Sequence, residues 1–400
     1  MPGPLRGIRV IDMTSYIAGP FACSLLADLG ATVIKVEQPE GDMMRYYPSS
    51  LPEESRTFLG VNRGKQSIVI DLKAPGGKEA LFRLTDAADV IADNMRPGVM
   101  RRLGVDYPVL RARNPRLIHL GLTGYGDDGP MAASAGYDQV LQAMAGIATA
   151  QGHANGVPPQ LQQGSVVDFY ASAMGALGVV AALFERCRSA GGQDRGLEGE
   201  GQHVGMSLLA ATLAMQAGRF VAADGEPADV DRDLHNGKLA GIHPTKEGYL
   251  YLQASTPRFW ENLCTLVGLP ELARDERYDT VRKRAARAQE LLPPLHAALR
   301  ARTAVEWDAL MQGQVPCAVV GSINGMFDHP QVLQQGLVER MPHAALGSYR
   351  GLARPIVYER SPLAPVSGAP GLGEHTDAVM ADAGLSPHEI AALRASGAIR

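Results

Sequence analysis

One acidic residue, Asp168, stands where a glycine-containing segment turns into a long apolar run. The segment covers Leu161 to Tyr170, and the run continues from Ala171 to Phe184. An aspartate at this junction has two interpretations. It can cap a helix, because its oxygens accept hydrogen bonds from the free N–H groups of the first turn and its charge suits the positive end of the helix dipole. It can also be a carboxylate nucleophile that is held at a helix start and forms a covalent acyl intermediate.

Basic residues gather in the segment that follows one predicted strand. Arg96, Arg101 and Arg102 accompany Pro97 at the start of a predicted helix. Guanidinium groups suit phosphate, because their planar fork donates two parallel hydrogen bonds to oxygen. Near the preceding strand, the positive charge continues with Arg63, Lys65 and Lys73. A solvated basic surface explains the same charges, so this alternative stays open.

The segment Gly124-Tyr125-Gly126-Asp127-Asp128-Gly129 matches the dinucleotide-binding pattern GxGxxG. That pattern belongs in the first strand-to-helix turn, where it opens a helix directly and lets a pyrophosphate approach the backbone. Here two aspartates lie inside the pattern, Pro130 follows at once, and the segment comes late among the predicted strands. We therefore interpret it as a flexible glycine turn.

A scaffold for these residues is predicted by short β-branched runs that alternate with helical patterns. The strands are Arg9–Met13, Thr32–Glu37, Ser67–Leu72, Asp89–Ala92 and Leu117–Leu122, and the helices between them include Phe21–Leu29 and Lys78–Ala87. Such alternation predicts parallel pairing with right-handed crossovers, and so an α/β sheet covered on both faces. Ligands of these sheets bind at the carboxyl ends of the strands. The loops predicted to bind a ligand are those after Met13, Glu37, Asp71, Ala92 and Leu122.

Composition limits the kind of protein. With 400 residues, 46% of them hydrophobic, the chain is expected to form two to three globular domains. A net charge of −4 and a pI near 6.2 argue against a nucleic-acid partner. The four cysteines form no CxxC pair, which predicts neither a zinc site nor a disulfide framework and favours the cytoplasm. No uninterrupted apolar stretch reaches the length of a membrane span, so no membrane association is expected.

The second half of the chain reads as a separate unit. Val221 to Asn236 is polar and acidic and is interpreted as a linker. A strand at Tyr249–Leu252 and several helices follow, and the chain ends in a helix pair, Thr376–Ala383 and Pro387–Ala395.

A series of short motifs extends from one end of the chain to the other. They are Gly19-Pro20, Gly30 to Glu37, Asn62-Arg63-Gly64-Lys65, Asp71-Leu72-Lys73, Arg96-Pro97-Gly98, Arg102-Leu103-Gly104, Gly124-Tyr125-Gly126, Gly136-Tyr137-Asp138, Gln142-Ala143, the Asp168 segment, Gly199 to Gln202, Val315-Pro316-Cys317 and Leu372 to Thr376. With these motifs the chain resembles the class III coenzyme A transferases, a group that includes formyl-CoA transferase, carnitine CoA-transferase and 2-methylacyl-CoA racemase. Each motif alone is weak evidence, but together they are specific and cover almost the whole chain.

The resemblance implies an architecture that periodicity alone does not predict. A Rossmann-like α/β large domain would be built from both chain ends, residues 1–220 and 331–400. A smaller α+β domain would occupy residues 221–330. Two such chains would form an interlocked homodimer.

The resemblance also implies a site. Asp168 matches the catalytic aspartate, and Tyr137 and Asp138 would flank the thioester, near Gly124, Tyr125 and Gly126. Coenzyme A would lie along Tyr16, Ile17, Gln38, Leu72, Lys73, Asn94, Met95 and Arg102. CoA would be a substrate, with a small carboxylic acid as its partner, and neither a tightly bound cofactor nor a metal would be required.

The reaction implied is CoA transfer between an acyl-CoA donor and an acid acceptor, through anhydride and aspartyl-CoA thioester intermediates on Asp168. Oxyanions would be stabilised by backbone N–H groups near Asp168 or in the turn Gly124–Gly126. A catalytically silent acyl-CoA-binding protein and a racemase are the alternatives. The racemases carry a histidine where this chain has Tyr137, and a phenol with a pKa near 10 is a poor base at neutral pH. His119 and His153 are not at the matching position.

Two departures from formyl-CoA transferase bear on the substrate. That enzyme has a glutamine where this chain has Ile17, and a run of consecutive glycines where this chain has Asn236 to Gly241 with isolated glycines. Oxalate and formate are therefore not expected as substrates. A larger or less polar carboxylic acid is expected instead.

Overall fold

Six parallel strands form the central sheet, in the spatial order β3-β2-β1-β4-β5-β6. The strands are β1 Arg9–Asp12, β2 Thr32–Glu37, β3 Lys65–Val69, β4 Val90–Asp93, β5 Ile118–Thr123 and β6 His203–Ser207. The prediction of an α/β fold with a parallel sheet is confirmed. The strand order reverses between β1 and β4, and ligands of such sheets bind in the crevice at this reversal.

This computed structural model describes residues 3–51, 54–155, 157–190, 199–227, 230 and 239–400. Its helices are α1 Ala18–Asp28, α2 Arg56–Val61, α3 Gly77–Asp86, α4 Val99–Leu103, α5 Tyr107–Arg113, α6 Asp138–Met144, α7 Ile147–Asn155, α8 Val166–Ala190, α9 Leu208–Met215, α10 Pro257–Leu266, α11 Pro270–Arg274, α12 Val281–Ala286, α13 Ala288–Leu299, α14 Ala304–Met311, α15 Ile323–Met326, α16 Pro330–Gln334, α17 Thr376–Asp382 and α18 Pro387–Ala395, with short 3-10 helices at Met43–Tyr46 and Glu276–Tyr278. Half of the predicted linker, Val221 to Asn236, lies outside the described residues.

Two predicted boundaries differ from the structure for identifiable reasons. The first helix was predicted from Phe21 but begins at Ala18, because Pro20 fits the first turn, where a missing N–H costs no hydrogen bond. The third strand was predicted as Ser67–Leu72 but runs from Lys65 to Val69. Its end is set by a turn in which the Asp71 carboxylate accepts a hydrogen bond from the backbone N–H of Lys73.

Each face of the sheet carries its own core. Helices α1, α8 and α9 cover one face, where Leu26, Leu120 and Val179 are buried together. On the other face, α3, α5, α17 and α18 enclose buried Leu81 and Met380. Because α17 and α18 come from the end of the chain, the C-terminal segment completes the covering of a sheet whose strands all come before residue 208.

Helix α8, with 25 residues, supports the sheet next to β5 and β6. Its stretch Val166–Ser189 is long and apolar enough, by length and composition, to cross a membrane. That departs from the prediction that no stretch reaches this length. The helix buries Val167, Val179 and Leu183 in the core beside α1, which is the packing of a core helix. Gly178 allows this close approach, since a Cβ there would lie 2.7 Å from the Val204 side chain.

The chain divides into two compact units. The large unit comprises residues 1–217 and 330–400 and contains the six-stranded sheet and a hairpin of β10 Val338–His343 and β11 Gly347–Leu352. The small unit comprises residues 218–329. Its antiparallel strands are β7 Gly241–Pro244, β8 Tyr249–Leu252 and β9 Cys317–Val319, and its core includes Trp260, Leu295 and Trp307.

Candidate functional site

Two clefts lie beside the carboxyl ends of the strands of the large unit. The first, the Asp168 cleft, has a volume of about 510 Å³ and is lined by Asp168 together with Ile17, Tyr137 and other residues. The second, the strand-end cleft, has a volume of about 540 Å³ and follows the loops after β1, β2, β3 and β4. The clefts share four lining residues, Tyr16, Asn94, Met95 and Arg96. A long ligand could therefore occupy both at once.

Asp168 lies in the first turn of α8, three residues after the strained Ser165. It is the third residue of the helix, so it does not occupy the N-cap position. No hydrogen bond to its carboxylate comes from the residues that the structure describes. The first of the two interpretations of this aspartate, helix capping, is therefore wrong, and its half-buried carboxylate is available to a ligand.

Asp138 does the capping instead. One of its carboxylate oxygens accepts hydrogen bonds from the backbone N–H groups of Val167, at 2.6 Å, and Asp168, at 3.2 Å. The other oxygen accepts from the Gln142 side chain at 2.5 Å. Gln142 in turn exchanges two hydrogen bonds with the backbone of Gln162. Residues 138–142 thus hold the segment that leads into α8.

The pKa of Asp168 is unusual for an aspartate. Burial, and then the nearby charge of Asp138, raise the pKa of Asp168 from 3.8 to about 7. The same buried Asp138 that fixes the helix start thereby makes Asp168 a stronger base than an ordinary aspartate. Groups with such perturbed pKa values are concentrated at functional sites.

Backbone strain marks the same cleft. Ser165 has φ +54° and Tyr16 has φ +69°, and both residues line the Asp168 cleft. They are the non-glycine residues in the left-handed region among those that the structure describes. Such conformations cost of order 1–3 kcal/mol each and persist where surrounding contacts enforce them. At Tyr16 those contacts come from Asn94, which accepts a hydrogen bond from the Ser15 backbone N–H at 2.9 Å and donates one to its carbonyl at 2.7 Å.

Buried ion pairs support the loop from Thr14 to Tyr16 from below. The Lys35 ammonium donates to the Thr14 carbonyl at 2.9 Å and pairs with Asp42 at 2.8 Å. Burial lowers the pKa of Lys35, but the carboxylates of Asp12, Asp42 and Glu37 outweigh it, so the pKa lies above its ordinary value. The other Asp42 oxygen accepts from the Tyr16 backbone N–H at 3.2 Å. The strained residue is therefore tied to a fully buried cation.

The predicted site residues separate into four groups. Both clefts are lined by Tyr16, Asn94 and Met95. The Asp168 cleft alone is lined by Ile17, Gly124, Tyr137, Asp138 and Asp168. The strand-end cleft alone is lined by Gln38, Leu72 and Lys73. Neither cleft is lined by Tyr125, Gly126 or Arg102.

The three residues outside the clefts have visible reasons to be there. Arg102 is exposed on α4, a short helix that directs it to solvent. The Gly126 N–H donates to the Thr123 hydroxyl at 2.9 Å within the turn after β5. Tyr125 packs against the sheet core beside α1 and α8.

Two basic residues that the sequence offered for phosphate binding are instead buried in ion pairs. The Arg63 guanidinium lies 2.5 Å from Asp28, and the Lys65 ammonium lies 2.7 Å from Asp12. Both side chains are almost fully buried, so that interpretation was wrong for them. Lys73 is exposed and Arg96 lies where the two clefts meet, and these two cations remain available to a ligand.

The oxyanion prediction needs a similar correction. The N–H groups of Val167 and Asp168 both donate to Asp138, and that of Gly126 donates to Thr123. Three of the expected donors are therefore occupied. The segment Gly124–Gly129 leads into bends and not directly into a helix. This agrees with its interpretation as a glycine turn.

Some contributors to the site were missed in the sequence. Asp42 and Lys35 support the Tyr16 loop, and Ser165 adds strain beside Asp168. An αL serine has no sequence signature, but the Gly164-Ser165 pair just before an apolar helix was a partial signal. His119, set aside as a base, contacts Asp93 at 2.6 Å and lines neither cleft. The side chain of His153 lies outside the described part of the chain.

Comparison with known proteins identifies the family of the chain. The family model described as CoA-transferase family III matches residues 5–376. The chain belongs to this family. It is thus a CoA-transferase that acts between acyl-CoA thioesters and carboxylic acids, and the resemblance to class III CoA-transferases is confirmed.

Individual relatives extend the match over most of the chain. A succinate–glutarate CoA-transferase of Agrobacterium fabrum is 34% identical over 396 residues, which is 95% of both chains. A probable fatty acyl-CoA transferase of Mycobacterium tuberculosis, Rv3272, is 37% identical over 77% of this chain and 80% of its own length. The crystal structure of a CAIB/BAIF family protein from Brucella suis superimposes with a TM-score of 0.81 at 31% identity, covering 96% of this chain and all of that one. The two relatives named as transferases therefore share CoA transfer and differ in the acyl group that their names give.

Proposed function

We propose that this CoA-transferase works through covalent intermediates on Asp168. The observation that carries the proposal is the position of Asp168. Its carboxylate has no hydrogen bond from the described residues, has a pKa raised to about 7, and lines a cleft that joins the strand-end cleft through shared walls. A CoA thioester whose nucleotide part occupied the strand-end cleft would reach Asp168 past Tyr16 and Met95.

The strand-end cleft has the chemistry that the CoA moiety needs. Lys73 and Arg96 supply positive charge for phosphate oxygens, while Leu72, Met95 and Val99 supply apolar contact for the rest of the molecule. The cleft also lies at the reversal of strand order, where this class of sheet binds nucleotides. These features support binding of CoA along Gln38, Leu72, Lys73, Asn94 and Met95, with Tyr16 at the passage to Asp168.

The reaction then proceeds by four displacements. The Asp168 carboxylate attacks the thioester carbonyl, the C–S bond breaks, and CoA leaves as a thiolate, which gives a mixed anhydride. The thiolate attacks the Asp168 carbonyl of the anhydride, which forms the aspartyl-CoA thioester and releases the donor acid. The acceptor carboxylate displaces the thiolate again and forms a second anhydride. Attack of the thiolate on the acceptor's carbonyl gives the new acyl-CoA and restores Asp168.

The raised pKa of Asp168 fits this role and lowers the stability of the folded protein at neutral pH. Only the ionised form attacks, so activity rises with pH through the pKa of about 7. The folded pKa exceeds the ordinary 3.8, so the folded state holds this proton more tightly than the unfolded state. Asp168 therefore lowers stability increasingly as pH rises from about 4 to 7, and the loss is complete above that range.

The decisive experiment uses Asp168→Asn. We expect CoA exchange to fall by at least about 1,000-fold, while the Tm at pH 8 rises by roughly 2 °C or more and the Tm at pH 4 is unchanged. Wild-type protein incubated with thioesters should carry added mass on the Asp168 peptide, and hydroxylamine should remove it. Asp128→Asn, an exposed aspartate outside both clefts, is the control. Unchanged turnover in Asp168→Asn, or no adduct with any thioester, would refute the mechanism.

We also propose that the protein is a homodimer. Helix α8 carries Leu177 and Phe184, which are 60% and 65% exposed. Of an apolar 18-residue stretch of this helix, only 44% is buried within this chain. Exposed large apolar side chains on a core helix support burial against another copy. Light scattering should give twice the mass of one chain. A monomer at micromolar concentration would contradict this proposal.

A further inference from the structure

The Asp168 cleft has an unusual balance of charge. Apart from Arg96, which it shares with the strand-end cleft, its charged lining residues are two carboxylates, Asp138 and Asp168. The oxygens of Asp138 already accept hydrogen bonds from backbone and amide donors, and this carboxylate adds negative charge to the cleft. The cleft has no lysine or arginine of its own among its described lining residues.

Part of the cleft lining is apolar and firmly packed. Ile17 and Met44 line the cleft, and Met44 is 3% exposed. Met44 packs with buried Phe58 and Leu59 in a small cluster against which Ile17 also packs. Leu122 and Leu208 add further apolar surface to the lining. An acyl chain entering this cleft would exchange water for hydrocarbon.

Two cations near these apolar residues, Arg45 and Lys35, are already paired with carboxylates. The Arg45 guanidinium lies 3.9 Å from the centre of the Phe58 ring but holds Glu37 with two hydrogen bonds of 2.7 and 2.8 Å. Lys35 is paired with Asp42 and fully buried. Removing either cation from its partner to bind a ligand would leave a buried carboxylate unpaired, which is strongly unfavourable.

Arg96 is the one cation among the described residues that line this cleft, and its position argues against a role with the acyl tail. It lies at the junction with the strand-end cleft, where the CoA moiety would pass. A second carboxylate in the Asp168 cleft would therefore find two acids, apolar side chains and uncharged hydroxyl groups such as those of Thr57 and Ser134, but no cation beyond that junction among the described lining residues. Burial of such an unpaired charge is costly.

We propose that the acyl groups exchanged at Asp168 have uncharged, apolar tails, so that monocarboxylic acids are preferred to dicarboxylic acids of the same length. The inference rests on the proposed function, since it takes Asp168 as the residue that holds each acyl group in turn. Both the donor acyl group and the acceptor acid form an anhydride at the same carboxylate. The same preference therefore applies to both substrates.

Matched substrates test this directly. CoA exchange from butyryl-CoA is measured with pentanoate and with glutarate, which have five carbons each and differ by one carboxylate. We expect kcat/KM to be at least about 10-fold higher for pentanoate. Equal rates, or a preference for glutarate, would overturn the inference while adduct formation on Asp168 would still support the proposed function. Absence of any adduct with any thioester would refute the proposed function itself.

A binding measurement gives the same comparison without turnover. Calorimetric titration of Asp168→Asn with butyryl-CoA and with succinyl-CoA should show at least about 10-fold tighter binding of butyryl-CoA. Equal affinities would overturn the inference even if the enzyme exchanged none of the acids tested.

A charge placed in the cleft should reverse the preference. Thr57 lines the cleft in the first turn of α2, and Thr57→Lys adds a cation there. We expect the ratio of pentanoate to glutarate activity to fall by about 10-fold in this variant. Val109→Lys adds the same charge on α5, outside both clefts, and should leave the ratio unchanged. Equal ratios in wild type and Thr57→Lys would contradict the inference.

Discussion

The strand-end cleft takes its walls from loops that follow four neighbouring strands, whereas the Asp168 cleft takes its walls from segments far apart in sequence. Beneath the first lies a buried network of Lys35, Asp42 and Glu37. Beside the second lie a strained serine, an acid with a raised pKa and an apolar wall.

The difference matches the two tasks of the proposed mechanism. In that mechanism the strand-end cleft holds the same CoA moiety in every half-reaction, so a rigid sheet edge with fixed ion pairs suits it. The Asp168 cleft accepts two different acyl groups in turn and supports the proposed covalent intermediates. The walls of the two clefts meet at Tyr16 and Asn94, so changes there should affect both, and changes elsewhere should separate them.

The largest effect is expected beneath the shared wall. Lys35→Met removes a fully buried ammonium and leaves the Asp42 carboxylate unpaired at the same depth. We expect the free energy of unfolding in urea to fall by about 3–5 kcal/mol. Arg113→Met is the matched control, because the Arg113–Asp86 pair is of similar length, 2.7 Å, but exposed. That variant should lose less than about 1 kcal/mol, and similar losses in both would contradict a supporting role for Lys35.

The same contrast explains what the sequence could predict. Strands β2 and β8 and helix α18 have their predicted bounds, because alternating β-branched runs, capping residues and prolines mark them locally. The strand-end loops followed from the strand positions, and Lys73, Asn94 and Met95 of these loops line the cleft.

The Asp168 cleft was less accessible to such reasoning. That Asp138 caps α8 depends on a contact between residues thirty positions apart, and no local pattern reports it. The burial of Arg63 and Lys65 likewise depends on Asp28 and Asp12, which lie far from them in sequence. Charge clusters in a sequence do not reveal which members have partners. The catalytic role predicted for Asp168 rests on the family resemblance, since residue chemistry alone left capping and nucleophilic attack open.

The shared wall itself can be weakened without unfolding the protein. Asn94→Ala removes the two hydrogen bonds that fix the Ser15 backbone beside strained Tyr16. At about 1 kcal/mol each, their loss should raise the KM for acyl-CoA by roughly 10- to 30-fold. Asn114→Ala removes three side-chain hydrogen bonds to the backbone, at Thr85, Ala88 and Arg116, but lies outside both clefts. It should lower stability similarly and leave KM unchanged, whereas equal KM values in the two variants would place Tyr16 outside the substrate path.

The reacting cleft can be tuned separately through Asp138. Asp138→Asn removes the negative charge that helps to raise the pKa of Asp168, although burial, the larger cause, remains. The acid limb of the kcat/KM profile should move to lower pH by up to about one unit. An exposed neighbour outside both clefts, Asp128→Asn, should leave the limb in place. A limb that stays near pH 7 in Asp138→Asn would mean that the charge of Asp138 does not contribute to the raised pKa.

The smallest effect is expected at the rim of the strand-end cleft. Lys73 is exposed there, so its attraction for a CoA phosphate is screened by salt. Lys73→Met should raise the KM for acyl-CoA by about 3-fold at low ionic strength and leave kcat unchanged, and the difference should vanish near 0.5 M salt as the Debye length shortens to about 4 Å. Lys78→Met, an equally charged exposed position on α3 outside the clefts, should change neither constant. A change in kcat at Lys73 would mean that the rim contributes to the chemical step, and the division between a binding cleft and a reacting cleft would then fail.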